Sequence, residues 1–369
     1  TPTLQRSLTV LAGICLTILL IQLADRIQPR SYTFRWQNIS SRFQLRVIWM
    51  SLGAIIIITI LVGVGLIVGD YPIPASKAIA TALWDRNGEY DFIVNSLRFP
   101  RIIVAILAGM CFASSGLIFQ SLINNPLVSP DIIGINSGAA VLAVAILAAG
   151  GNIAYLPYAA FLGALLTAAL IYLLSWKRGI SATRLVLVGI GINAVLGAII
   201  TYITIKYPIE RVVAAARWQA GTLFGATWDD ARTLSIGLLI LLPPAFFLTT
   251  RLRILQLGDE TAITIGSKIE RDRLALLAVA SLLAALAVSV VGPLGFVALI
   301  VPQAARLLLG SITGGVLIFT ALLGGFFLLG ADLIAQRLFA PVMLPAGVIT
   351  ATFGGPYFLY LLARYNRAN

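Results

Sequence analysis

"VIWMSLGAIIIITILVGVGLIVG", residues 47–69, is a stretch dominated by apolar side chains, and it contains no charged residue. A helix of about 20 apolar residues crosses the hydrocarbon core of a bilayer, so this stretch predicts a membrane-spanning helix. Similar apolar blocks follow along the chain, separated by short polar links. Of the 369 residues, 59% are hydrophobic and 11% are charged. This composition indicates a polytopic helical membrane protein rather than two soluble domains.

The apolar blocks predict an all-α polytopic membrane protein with ten transmembrane helices in one bundle. We divide the chain into an N-terminal extension, 1–46, and a ten-helix transmembrane domain, 47–369. The predicted spans are 47–69, 102–121, 132–149, 157–175, 185–205, 233–250, 274–291, 293–309, 315–335 and 346–363.

The N-terminal extension contains one more apolar segment, 7–23, followed by a basic linker. Its length lies at the lower limit for a membrane span, and we expect it to form an accessory helix. An interfacial helix and a signal-like segment are the alternatives. A signal peptide is disfavoured because no A-x-A cleavage site follows the segment.

The formal net charge of +12 comes from Lys and Arg residues that lie mostly in the links between spans. Nucleic-acid binding is therefore not indicated, and membrane topology is the better explanation. The links on the side of 24–46 carry the larger share of basic residues. This bias places both ends of the ten-helix core in the cytoplasm.

The chain offers little chemistry for catalysis or for a cofactor. It has no histidine and no Gly-Lys dipeptide, so no Ser-His nucleophile and no P-loop can be proposed. Its two cysteines lie in apolar blocks, and no cluster has metal-ligand spacing. Ionisable groups that would serve a proton-driven carrier are almost absent from the spans; Asp332, near Arg337, is the main exception. We expect no enzyme, cofactor or metal site, and a partner that supplies energy for any uphill transport.

Two stretches interrupt the helical pattern with proline and glycine at membrane depth, residues 124–138 and 290–302. Such backbone is tolerated where it is buried in protein or lines a cavity. Four polar side chains in the first stretch could hydrogen-bond a passing solute, and turn formation is the alternative. They are Asn124, Asn125, Asn136 and Ser137.

"LGDETAITIG", residues 257–266, places charge and glycine in the longest predicted cytoplasmic link. The pattern predicts a short helix that begins at Gly258 and Asp259, carries Asp259 and Glu260 in its first turn and stops at Gly266. Such a helix can seat in a groove of a partner protein. A solvated loop whose charges only set topology is the alternative.

Seven stretches between 97 and 362 follow one another in a recognisable order: "LRFPR" (97–101), "FQSLINNPLVSPDIIGINSGA" (119–139), "TRLVLVGIGI" (183–192), "LQLGDETAITIG" (255–266), "GPLGFVALIVPQAAR" (292–306), "ADLIAQ" (331–336) and "LPAGVITATFGGPYFLYLL" (344–362). Taken together, they resemble the FecCD-type permeases, the membrane subunits of ABC importers for iron-siderophore complexes, haem and cobalamin.

The resemblance implies a multi-pass subunit of the bacterial plasma (inner) membrane. Its expected partners are a second permease subunit, identical or paralogous, two cytoplasmic ATPase subunits and a periplasmic or lipoprotein solute-binding protein. An iron(III)-siderophore complex is the favoured cargo, with cobalamin or haem as the alternative within the family. A secondary transporter and a non-transporting scaffold are the alternatives from other classes.

The resemblance also implies roles for particular residues. Arg98 and Arg101 match arginines that receive acidic residues of the binding protein, a task suited to guanidinium groups; interfacial anchoring is the alternative. The family's third arginine is replaced here by Gln336, and Arg337, one position on, is the predicted third docking residue. The predicted ATPase-coupling residues are Gly258, Asp259, Glu260, Ala262 and Gly266.

The inner gate of the family involves the loops after the second and fourth spans. The matching positions are Asn125, Leu127, Ser181 and Thr183. Two departures from the family stand on the cytoplasmic side. Gln303 replaces a frequent histidine, and "GSITGG" (310–315) replaces a charged turn.

Overall fold

The computed structural model describes residues 31–36, 39–69, 71–85, 88–177, 179, 181–338 and 344–368. The apolar segment 7–23 and its predicted helix lie outside the described residues. The described chain begins with a two-stranded antiparallel hairpin, β1 (Ser31–Trp36) and β2 (Ile39–Gln44), which pairs Tyr32 with Phe43 and Trp36 with Ile39. Aromatic and polar residues alternate along β1, which is the period of a strand. The basic residues of this region predicted a linker, and the hairpin was not expected.

Every other described element is a helix. A π-helical stretch, Phe92–Arg98, leads directly into the third α-helix. The helices are α1 (Leu45–Ile67), α2 (Ala75–Leu83), α3 (Phe99–Ile123), α4 (Pro130–Ile133), α5 (Ile135–Ala149), α6 (Leu156–Ser175), α7 (Ala182–Lys206), α8 (Ile209–Gln219), α9 (Trp228–Leu255), α10 (Asp259–Thr264), α11 (Ile269–Val291), α12 (Val297–Leu309), α13 (Gly314–Arg337) and α14 (Ala346–Ala368).

Among the described residues, 7 helical segments are long and apolar enough to cross a membrane. They contain α1, α3, α6, α7, α9, α11 and α13, and α5 and α12 are shorter apolar helices. Each predicted span overlaps at least one helix of the structure, and the span 132–149 overlaps both α4 and α5. The polytopic helical architecture expected from the hydropathy pattern is therefore present.

Helix α3 is the centre of the bundle and packs against α9, α11, α12 and α13. In the most apolar stretch of the span that contains α3, 78% of the residues are buried inside the chain, whereas the corresponding share for α7 is 6%. Glycines let its backbone approach its neighbours. A Cβ on Gly109 would lie 2.2 Å from the carbonyl oxygen of Gly324 in α13, and one on Gly116 would lie 1.9 Å from that of Ala298 in α12. Small residues at such crossings are the usual means of tight helix association in lipid.

Both predicted interruptions are breaks in helical structure. Helix α3 ends at Asn124, which is left-handed with φ 56°, and Gly134 at φ 105° separates the one-turn α4 from α5. The second break precedes α12, where Gly292 has φ 74° and Phe296 has φ 68°. Phenylalanine rarely adopts positive φ, so this backbone is strained and is held by its surroundings. Helix α12 consequently begins within the bundle rather than at its surface.

Candidate functional site

The link between α9 and α11 contains the short helix that the sequence predicts. Gly258 precedes α10 with φ 95°, Asp259 and Glu260 form its first turn, and Gly266 follows it with φ 87°. Positive φ at both ends explains the glycines, because other residues are strained there. The side chain of Ala262 is buried, so this face of the helix packs on the body of the protein.

A salt bridge fixes α10 to the following helix. Arg273 of α11 donates to the carboxylate of Asp259 at 2.7 Å, and Ser267 donates to Asp272 at 2.6 Å across the intervening turn. Glu260 is exposed beside this pair. The helix therefore has one anchored side, and movement of α10 would be transmitted to the start of α11.

The exposed apolar side of α10 consists of Ile263 together with Leu257 and Ile265, which flank the helix. Leu257, Ile263 and Ile265 are 60%, 65% and 58% exposed. A groove of about 540 Å³ runs beside them and is lined by Asp259, Ile263, Ser267, Lys268, Ile269, Glu270 and Arg271. Clustered apolar side chains rimmed by charge, outside the membrane-spanning segments, are typical of a protein-binding surface.

At the other end of the bundle, Arg98 holds the chain that leaves α1. Its guanidinium donates to the carbonyl oxygens of Leu66 at 2.6 Å, Ile67 at 3.1 Å and Tyr71 at 2.6 Å. Gly69 lies against this guanidinium, because a Cβ there would be 2.2 Å from its Nη2 atom. Arg337 of α13 donates to the carbonyl oxygen of Gly69 in the same segment.

Arg101 lies in the first turn of α3 and forms a bidentate salt bridge with Asp332 of α13. Its Nε and Nη2 atoms are 2.9 and 2.8 Å from the two carboxylate oxygens, and Gln336 donates to the same carboxylate at 2.8 Å. Asp332, the main ionisable residue within the predicted spans, is buried and pairs with Arg101. All three predicted docking arginines are thus close together and also hold α1, α3 and α13 to one another.

The predicted gate residues fall into separate environments. Asn125 Oδ1 accepts from the backbone N–H of Leu127 at 2.9 Å, so it stabilises its own turn after Asn124. Ser137 donates to Asn193 of α7, and the neighbouring Asn136 is buried with no hydrogen-bond partner for its Oδ1 among the described residues.

The other two gate positions, Ser181 and Thr183, stand at the start of α7, where Thr183 is exposed. Sequence reasoning missed Asn193, which is a polar residue inside an apolar span. Its position in "GIGINAVLGA" was the available signal.

The part of the chain that the structure describes contains no group of three or more His, Cys, Asp or Glu residues that could hold a metal ion. What it contains is an apolar helical bundle with broken helices, a cluster of arginines at one end and a short exposed helix at the other. These features are typical of the membrane subunit of a transporter.

The comparisons with known proteins name the family. The chain belongs to the FecCD transport family, whose model matches residues 54–364. It is 38% identical over 304 residues to the ferric enterobactin transport system permease protein FepG of Escherichia coli K12, covering 82% of this chain and 92% of that protein. It is 40% identical over 287 residues to the Fe(3+)-citrate import system permease protein YfmE of Bacillus subtilis 168, covering 77% and 86%.

A solved structure of an inward-facing metal-chelate type ABC transporter superposes with a TM-score of 0.75 at 25% identity, covering 86% of this chain and 99% of that one. The chain is therefore the permease subunit of an ABC importer, a multi-pass membrane protein and a transport component rather than an enzyme. This confirms the resemblance found in the sequence.

Proposed function

We propose that this permease translocates an iron(III)-siderophore complex, delivered by a solute-binding protein and driven by two cytoplasmic ATPase subunits. The exposed apolar side of α10 is the observation that supports the dependence on an ATPase. Relatives named for ferric enterobactin and ferric citrate support the class of cargo. Cobalamin and haem are the alternative cargoes.

The full architecture that we propose has ten membrane-crossing helices: α1, α3, α5, α6, α7, α9, α11, α12, α13 and α14. The short helices α5 and α12 complete their crossings with the broken segments that precede them, which is how buried irregular backbone is tolerated in membranes. Residues 7–23 add an accessory helix before this core, within the extension 1–46. Both ends of the core lie in the cytoplasm.

The proposed ATPase site is α10 and its flanking glycines, with Gly258, Asp259, Glu260, Ala262 and Gly266. Ile263 and Ile265 would enter a groove of the ATPase, while Ala262 and the Asp259–Arg273 salt bridge hold the helix to the permease. A helix that is rigidly attached on one side transmits rigid-body movement of its partner.

The proposed surface for the second permease subunit is the outward face of α7. Leu187, Val195 and Tyr202 on this face are 63%, 61% and 63% exposed. Gly191 and Gly197 face open space, since a Cβ on either would meet nothing within 4 Å. A face with apolar side chains and glycines suits close packing against another helix in lipid.

We place the translocation path beside this interface. Asn136 and Ser137 border it next to Asn193 of α7, and Asn124, Asn125 and Leu127 form its inner gate with Ser181 and Thr183. The buried Oδ1 of Asn136 has no hydrogen-bond partner among the described residues, and this supports the placement because an unsatisfied buried acceptor is costly.

The binding protein docks, in this proposal, on the outer end around Arg98, Arg101 and Arg337. A guanidinium group can pair with a carboxylate through two parallel hydrogen bonds, so arginines suit this contact. Acidic side chains of the binding protein would pair with these guanidinium groups.

Uptake by proteoliposomes that contain the assembled importer tests the cargo. Radioactive ferric citrate, a ferric catecholate and a ferric hydroxamate are offered separately, with cobalamin and haem as competitors. We expect uptake of at least one ferric chelate that the two competitors do not inhibit. Uptake of cobalamin or haem without any ferric chelate would contradict the proposed cargo.

A further inference from the structure

Helix α12 contains Pro302, and this proline leaves a backbone carbonyl without its helical partner. Proline has no N–H, so the carbonyl of Ala298, four residues earlier, lacks the donor that the helix would normally supply. Gln120 of α3 donates a hydrogen bond to this carbonyl instead. Its Nε2 atom lies 3.3 Å from the oxygen of Ala298 and 3.0 Å from that of Leu299. Gln120 is fully buried, so water does not replace this bond.

The approach of α3 to α12 is close enough to make this contact specific. Gly116, one turn before Gln120, has its backbone against the same carbonyl of Ala298. Any larger residue at 116 would move the two helices apart, and the amide of Gln120 would lose its acceptors. The glycine and the glutamine thus serve one contact.

A second glutamine extends the contact. Gln303, directly after Pro302, donates to the Oε1 atom of Gln120 at 2.7 Å, so both polar atoms of the Gln120 amide are bonded. The same nitrogen lies 3.5 Å from the carbonyl oxygen of Pro126 in the loop after α3. The two amides form a chain of hydrogen bonds from the loop after α3 to the backbone carbonyls that precede Pro302 in α12.

The next residue of α3, Ser121, connects this chain to the inner surface. Arg306 of α12 donates to its hydroxyl, and Gln256 donates to its carbonyl oxygen at 3.4 Å. Gln256 caps the end of α9, and Asp259 begins α10 three residues later. The segment that leads into α10, the end of α3 and the part of α12 that follows Pro302 are therefore in contact with one another through these residues.

We propose that Gln120 and Gln303 are positioning residues that make α12 follow α10 when the ATPase subunits close. This rests on the proposed role of α10 as the ATPase contact. Apolar packing is non-directional and lets helices slide, whereas a buried hydrogen bond is lost with a small displacement. Breaking the amide chain would leave buried polar groups unpaired. The inner end of α3, α12 and the base of α10 consequently move as one body.

Substitutions at the two glutamines separate this role from general packing. Gln120→Leu and Gln303→Leu keep volume and remove the amide chain, whereas Gln303→His keeps an N–H donor in reach of Gln120. Thr320→Val is the matched control, because Thr320 is as buried as Gln120 but its hydroxyl donates within its own helix, α13, to Val316 at 2.7 Å. Each variant is assembled with its ATPase and binding protein in proteoliposomes, and ATP hydrolysis and ferric chelate uptake are measured together.

We expect the two leucine variants to raise the ATP hydrolysed per chelate imported by roughly fivefold or more, the size expected from a lost buried hydrogen bond. Gln303→His and Thr320→Val should retain the wild-type ratio. A parallel fall of both activities at constant ratio, or a similar rise in Thr320→Val, would overturn the proposal.

A second measurement does not depend on the cargo. Spin labels replace Leu307 of α12 and Leu174 of α6, both well exposed, with Cys15 and Cys111 changed to serine. In the assembled importer we expect the distance between the labels to change when ATP and vanadate are added, and Gln120→Leu to abolish that change. A change that persists in Gln120→Leu would overturn the proposal even if no chelate is transported, and absent chelate uptake in wild type would count against the proposed cargo alone.

Discussion

Arg101 of α3 and Asp332 of α13 form a bidentate salt bridge with N···O distances of 2.9 and 2.8 Å, although the two residues are 231 positions apart in the sequence. Their side chains are only 14% and 2% exposed. The pair therefore holds α3 to α13 at the outer end of the bundle, the surface on which we place the binding protein.

Removing one partner of this pair should destabilise the permease. Asp332→Leu or Arg101→Leu leaves a buried charge unpaired, a change that costs about 3–5 kcal/mol in buried pairs. The double variant, with both charges gone, should be more stable than either single variant. Thermal unfolding in detergent measures this, and additive losses would show that the two residues are not coupled.

The crossing of α3 and α13 gives a second prediction, on packing. Gly324→Ala places a Cβ 2.2 Å from the carbonyl oxygen of Gly109, whereas Gly330→Ala in the same helix meets nothing within 4 Å. Overpacking of this kind costs about 1–3 kcal/mol. We expect a lower unfolding temperature for Gly324→Ala alone. Equal behaviour of the two variants would contradict the close backbone contact.

A charged substitution on the exposed apolar side of α10 should impair assembly with the ATPase without disturbing the rest of the permease. Ile263→Glu should weaken capture of the ATPase roughly tenfold or more, the effect of losing a central interface contact, while membrane insertion stays normal. Ile209→Glu makes the same change at a 73% exposed isoleucine of α8 and should leave capture unchanged. Co-purification with the ATPase measures both. Full capture by Ile263→Glu would rule out this side as the ATPase contact.

Docking of the binding protein on the outer arginines should weaken steeply as salt rises, because exposed charges are screened. Arg98→Gln should reduce the affinity, and Arg98→Lys should reduce it less because it keeps the charge. Arg101→Glu is a poor probe, since it would place a second carboxylate beside Asp332. Binding assays in detergent over a range of salt concentrations provide the measurement. Salt-independent docking, with equal affinity for Arg98→Gln and wild type, would refute the assignment.

Hydropathy predicted the membrane helices because apolar length is a local property. The predicted span 47–69 corresponds to α1 at Leu45–Ile67, and 157–175 corresponds to α6 at Leu156–Ser175. The same reasoning missed α8, Ile209–Gln219, which is short and carries charged residues. It also missed the hairpin, because the arginines among its alternating aromatic residues indicated a linker.

The site was predictable only where its signal is local. The conformational preference of Gly258 and Gly266 and the charge of Asp259 predict a short helix, and the structure has that helix. The partner of Arg101 could not be found in this way, because no local pattern connects it to Asp332. The same holds for Gln120 and Ala298, whose contact depends on Pro302 and on the crossing of two helices.

The dependence of uptake on ATP tests the central conclusion most directly. Proteoliposomes with the assembled permease, ATPase and binding protein are loaded with ATP, and the proton gradient is collapsed with an uncoupler. We predict that a radioactive ferric chelate accumulates under these conditions, and that accumulation stops when ATP is replaced by a non-hydrolysable analogue. Accumulation that continues without hydrolysable ATP and requires a proton gradient would contradict the account and identify a secondary transporter instead.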